Sequence, residues 1–213
     1  MKKMHGISTK AFAALLAVTL LVGSAIGGTL AWLTADPVSV TNTFTIGNVG
    51  ITLTETGASG AGNQSKNFTV IPGVNIAKDP KVTVTADSEA CYVFVKVDKQ
   101  EWNDNLTYAV NTDAGEWKQL EGNDGVYYRE VNADDAKAGK SFYVLKGSEN
   151  PDDLVGMTEE DKGLALNGIV RVSPDLKKDE WKEGTKLTFT AYAVQREGLD
   201  NVSDAWDQVK DLK

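Results

Sequence analysis

Apolar and polar residues alternate along most of the chain after residue 48, and the period is two. Side chains of a strand alternate between faces, so this pattern predicts half-buried β-strands. In "CYVFVKV", Cys91, Val93, Val95 and Val97 share one face, and Tyr92, Phe94 and Lys96 share the other. In "LTFTAYAV", Leu187, Phe189, Ala191 and Ala193 fall on one side. Further β-rich runs bounded by Gly, Pro, Asn or Asp are Phe68 to Ile71, Lys81 to Thr85, Leu106 to Val110, Trp117 to Leu120, Val126 to Val131, Ser141 to Leu145 and Gly168 to Val172. "QLEGNDGVYY" reads as a hairpin whose "NDG" supplies the positive φ of the turn. Many short strands without alternating helices predict a mainly β, antiparallel jelly-roll or β-sandwich body.

Helical spacing occurs at two places. Pro151 to Lys162 is a short, acidic candidate. At the end of the chain Asn201 can cap, and Val202, Trp206 and Val209 recur at i, i+4 and i+7 with Ala205 beside them. Trp206 is expected to pack this helix on the sheets. "TGASGAGNQSKN", residues 56 to 67, reads as a mobile loop, and "NADDAKAGK", residues 132 to 140, as a solvated turn.

The N-terminal pattern differs. Lys2, Lys3 and Lys10 precede an uncharged apolar run from Ala11 to Ile26, followed by small residues. This is the grammar of an exported precursor, with a membrane anchor as the alternative. Thr29-Leu30-Ala31 fits a cut after Ala31, leaving Trp32 as the new first residue; Leu33-Thr34-Ala35 offers a second cut after Ala35. The expected organisation is a signal peptide over 1–31, an N-terminal segment over 32–48, a β body over 49–198 and a C-terminal helix over 199–213.

Within the N-terminal segment Trp32, Val38, Val40, Phe44 and Ile46 all occupy even positions, whereas Val49, Ile51 and Leu53 are odd. A one-residue slip inverts every face, so Gly47 to Gly50 must hold a bulge, a bend or a new strand start. One reading is an ordinary bulged first strand. The other is a detachable strand with Gly47 and Gly50 as its hinge.

Composition narrows the chemistry. Removing three lysines with the leader leaves 19 basic residues (22 − 3) against 30 acidic ones, a net charge of −11, which disfavours nucleic acid and anionic lipid as partners. The one histidine is His5, so no zinc-protease motif, Ser-His-Asp triad or Cys-His dyad is available beyond the leader. Cys91 is the one cysteine, so no intrachain disulfide can form, and its strand context suggests a buried, inert thiol. No catalytic, cofactor or metal site is expected. Without an LPxTG-like motif, covalent wall attachment is not expected either.

Three stretches carry a family resemblance. "LLVGSAIGGTLAWLTADPVSVTNTFTIGNVGITLTE" resembles the signal region of the TasA/camelysin (CalY) family of Gram-positive biofilm-matrix proteins. "VIPGVNIAKDPKVTV" is similar to that family's Pro-Gly turn and following lysine, and "LTFTAYAVQREGLDNVSDAW" resembles its closing strand and helix. The resemblance implies processing by a SipW-type signal peptidase at Thr29, Ala31 and Trp32, and a membrane association only through the uncleaved signal. It further implies a secreted jelly-roll subunit of an extracellular fibre. Its partner is another copy of itself, and an accessory matrix protein is a second candidate. The face formed by Trp32, Val38, Val40, Phe44 and Ile46 would enter a neighbouring copy as a donor strand. A monomeric, adhesin-like surface protein of the same fold is the alternative. A camelysin-type metalloprotease is the third reading, opposed by the missing histidines.

Overall fold

The structure, a computed structural model, describes residues 48–59 and 65–212, all of which lie in one compact unit. The leader with Thr29 and Ala31, the apolar face of Trp32, Val38, Val40, Phe44 and Ile46, and Gly47 lie outside the described residues.

Ten strands form among the described residues, and every pairing is antiparallel. β1 (Ile51–Thr54), β3 (Lys81–Val84) and β8 (Ser141–Tyr143) make one ladder, in the order β1-β3-β8. β4 (Cys91–Gln100), β6 (Lys118–Gln119), β7 (Val126–Val131) and β10 (Lys186–Gln195) make the largest, in the order β10-β4-β7-β6. β2 (Ile76–Ala77), β5 (Leu106–Tyr108) and β9 (Ile169–Val172) make the third, in the order β2-β9-β5. The expected mainly β, antiparallel class with a short C-terminal helix is therefore what forms. The strands divide among three ladders, and one apolar core draws Val82 and Val84, Val93 and Val95, and Val170 and Val172 from them.

β4 explains why the body holds together. Its first face, Cys91, Val93, Val95 and Val97, lines that core, with the first three fully buried. On its second face Tyr92 and Phe94 are aromatic, and Phe94 is also fully buried. The cover on this side is the helix α3 (Val202–Val209). The ring of Trp206 lies 5.3 Å from Phe94 and 5.3 Å, edge-on, from Tyr192 on β10. Its indole N–H donates to Asn123 Oδ1 at 3.1 Å, so the buried polar tip is satisfied. Asn201 starts the helix by accepting from the Asp204 amide at 3.0 Å.

The loops contain the departures from expectation. Phe68 to Ile71 joins no strand. Residues 66, 68 and 70 are half-buried and 67 and 69 exposed, as alternation requires, but the segment has no ladder partner among the described residues. Alternation fixes faces and does not by itself supply a neighbour. The Pro72-Gly73 turn that follows closes with the Val74 amide on the Ile71 carbonyl at 3.0 Å, with Gly73 at φ +75°. The "NDG" hairpin forms between β6 and β7, with Gly125 at φ +74°. "NADDAKAGK" is not a solvated turn. It contains α1 (Ala133–Lys137), capped by Asn132 and holding Ala136 fully buried. The single helix expected over Pro151 to Lys162 is two elements. A 3-10 turn covers Pro151–Leu154, Gly156 at φ +77° breaks the chain, and Thr158 caps α2 (Glu159–Ala165). In the glycine-rich loop Ser59 and Ser65 are bridged, so its described flanks are tied together.

Truncation of the buried indole tests this packing. Trp206→Ala is expected to cost about 3 kcal/mol of unfolding free energy, since it leaves a cavity against Phe94 and an unpaired Asn123. Urea denaturation followed by circular dichroism measures it.

Candidate assembly site: an open seam between two edge strands

β1 and β10 are each the outermost strand of a ladder, and they lie beside one another. An edge strand carries unpaired backbone groups and is a template for further pairing. Along β10 the inward row is Leu187, Phe189, Ala191 and Ala193, all only half-buried. Leu187 pairs with the exposed Lys99, but the other three have far better covered partners on β4: Phe189 sits opposite Val97, Ala191 opposite Val95 and Ala193 opposite Val93, and those valines are at most 6% exposed. Across the seam Val49, Ile51 and Leu53 form a second half-buried row, on the single face that their odd parity predicts. The core thus stays partly uncovered along this line.

The chain enters β1 through a fixed point. The Gly50 carbonyl accepts from the Thr85 amide at 2.7 Å, and the Gly50 amide donates to Ser88 Oγ at 3.2 Å. The Glu89 amide also donates to the Asn48 carbonyl at 3.0 Å. A Cβ on Gly50 would stand 2.7 Å from Thr85 Oγ1, so this glycine leaves room for the Thr85 side chain against the backbone. The hinge expectation therefore rests on Gly47, outside the described residues.

A buried cation closes one end of the seam. Lys78, only 9% exposed, places Nζ 2.7 Å from Glu55 Oε2, just beyond β1. The same ammonium lies 5.1 Å from the Phe68 ring and 5.4 Å from the Phe189 ring on β10. Asp79 beside it accepts from the Thr56 amide at 3.1 Å and from Thr56 Oγ1 at 2.7 Å. The Lys78 amide donates to the Gly168 carbonyl at 2.9 Å, and a Cβ on Gly168 would fall 2.0 Å from the Lys78 carbonyl. Glu55, Phe68 and Phe189, from three chain segments, thus converge on the Lys78 side chain, and Gly168 meets its backbone. Glu55 Oε1 is buried with no partner among the described residues. Lys78 is not among the site residues expected from the sequence. The available signal was "AKDP", a charged pair set inside an apolar run of strand character.

Among the described residues no group of three or more His, Cys, Asp or Glu is arranged to hold a metal ion. Cys91 is fully buried, and burial pushes its thiol up to about 11, with Arg196 opposing weakly. A thiol so placed is protonated and shielded at neutral pH.

Removing one partner of the buried pair should be costly, and removing both much less so. Lys78→Met is expected to lose about 3 kcal/mol, because Glu55 is then left charged and unpaired. Lys78→Met with Glu55→Leu is expected to recover most of that loss, and chemical denaturation of the three proteins compares them.

Comparison with protein-family models, with curated proteins and with solved structures found no match for this chain.

Proposed function

We propose that this chain is a secreted structural subunit of an extracellular fibre. Copies join when the N-terminal segment of one, residues 32–46, is added along the β1–β10 seam of the next. The observation that carries this reading is the half-covered row Leu187, Phe189, Ala191 and Ala193 on an edge strand, the last three of which sit opposite buried valines of β4. The segment that the sequence analysis marks as separable has what this seam lacks. Trp32, Val38, Val40, Phe44 and Ile46 form one apolar face, and an extended backbone supplies the missing hydrogen-bonding partners.

Lengths agree with this role. Residues 32 to 46, fully extended, reach about 50 Å, and a strand of β10's length spans about 33 Å, at about 3.3 Å per residue. Each large side chain taken out of water contributes roughly 1.5–3 kcal/mol. Before cleavage the segment is tied to the leader and cannot leave the membrane, so processing after Ala31 by a SipW-type peptidase releases the joining end outside the cell. This reading includes the TasA/camelysin resemblance, a jelly-roll description of the body and a Gram-positive biofilm matrix as the setting. No enzymatic step belongs to it.

Three proteins test it: the mature chain from Trp32, the same chain lacking 32–46, and Phe44→Asp. The mature chain is expected to form fibres by electron microscopy. The deletion and Phe44→Asp are expected to stay folded and monomeric, the second because a charge cannot enter an apolar seam without a partner. A synthetic peptide of residues 32–46 should raise the melting temperature of the deleted body by binding its native form. A deletion that still polymerises like the parent overturns the proposal. So does a mature chain that stays monomeric at every concentration while the deletion unfolds, the behaviour of an ordinary intramolecular first strand.

A further inference from the structure

A second open feature lies where one end of the four-stranded ladder faces β5, and its Lys99 is the register partner of Leu187 at the end of the seam row. Val95 pairs with Tyr127, and Tyr127 with Gln119, so these residues continue the core-facing side of that ladder to its far edge. Lys99 extends the same face along β4. Opposite stands Tyr108 of β5, and Trp102 completes the wall. Together they border a groove with buried Leu106 and Val110 behind it.

Its aromatic wall is fixed in place. The Trp102 and Tyr108 rings meet edge to face, 5.6 Å apart at 89°. The Trp102 indole N–H donates to the Leu106 carbonyl at 3.1 Å, which sets the ring's orientation while its surface stays half-exposed. The polar groups are uncommitted. Among the described residues the hydroxyls of Tyr108, Tyr127 and Thr112, the Gln119 amide and the Lys99 ammonium have no side-chain hydrogen bond or ion pair. Burial, and next to it Tyr127, push the Tyr108 phenol above its ordinary range, so it remains a donor at neutral pH. Among the described residues no carboxylate borders the groove, and Lys99 is its one charged side chain.

We propose that this groove binds a neutral oligosaccharide chain. A pyranose has an apolar C–H face and a rim of hydroxyls that both donate and accept. The groove offers the complement of each: amphipathic aromatic surfaces, and free hydroxyl, amide and ammonium groups around them. A polyanionic glycan fits less well, because the chain carries a net charge of −8 and the groove only one cation. An extended peptide would instead pair with the backbone edges of β5 or β6, the outermost strands of their ladders, and would leave the free side-chain hydroxyl, amide and ammonium groups of the groove unused. This proposal does not rest on the fibre reading.

The test is NMR titration of the folded, leader-free protein, following the indole and backbone amide signals. The probes are cellohexaose, laminarihexaose and maltohexaose, which present three chain shapes, with a tetragalacturonate as the charged comparison. At least one neutral hexasaccharide is expected to shift Trp102 and β5 signals with a dissociation constant on the order of 1 mM, as suits a shallow, open groove. Gln119→Ala and Tyr127→Phe, both at partly or fully exposed side chains, are each expected to weaken that binding about three- to tenfold by removing a hydrogen bond. Three results overturn the proposal: no shift with any neutral probe at about 20 mM; equal binding by parent and both variants; or shifts at Trp102 only with the tetragalacturonate or with the 32–46 peptide.

Discussion

The antiparallel ladder between β4 and β10, running from Cys91 against Gln195 to Gln100 against Lys186, is the constraint on which the rest of the body depends. It brings the closing strand of the chain against the most buried one and sets the register of both. β4 is covered on both faces, by the three-ladder core on one and by α3 on the other. β10 is held along one edge by β4 and has no strand on its other edge among the described residues. The asymmetry has a physical consequence. The same backbone pairing that makes β4 central leaves β10 with an apolar row covered on one side only, and apolar surface with adjacent free backbone groups favours another strand.

Lys78 relates that edge to its surroundings. A lone buried ammonium is strongly disfavoured, so its position requires Glu55, and Phe68 and Phe189 flank the charge. Glu55 follows β1, Phe189 belongs to β10, and Lys78 follows β2. The ion pair therefore fixes how the two edges stand relative to the third ladder. An apolar replacement of such a pair can be nearly as stable but lacks a directional partner. Gly168 supports the pair by allowing the Lys78 backbone to approach without a side chain between them.

Much of this body is legible in the residues. Alternation placed β3, β4, β7, β9 and β10 to within a few positions and assigned both faces of β4, because strand period follows directly from backbone geometry. Asn201 with Val202, Ala205, Trp206 and Val209 marked α3, since cap and stripe together are local signals. The failures occur where the deciding information is not local. Phe68 to Ile71 alternates as a strand should, yet joins no ladder. Ile76–Ala77 is too short to carry a pattern. α1 is only five residues long, and the burial of Ala136 in the core gives it a packing partner that its acidic surroundings conceal. The candidate site divides in the same way. The odd-parity row of Val49, Ile51 and Leu53 could be read directly. The meeting of β1 with β10, and the convergence on Lys78, depend on contacts distant in sequence.

In the proposed assembly, copies join along the free edge of β10. Amide hydrogen exchange, read by mass spectrometry on monomer and on assembled fibre, tests it most directly. Peptides covering Leu187 to Val194 and Val49 to Thr54 are predicted to exchange markedly more slowly in the fibre, whereas β7, already paired on both sides, should change little. Equal exchange of β10 in monomer and fibre, with new protection elsewhere, would contradict it.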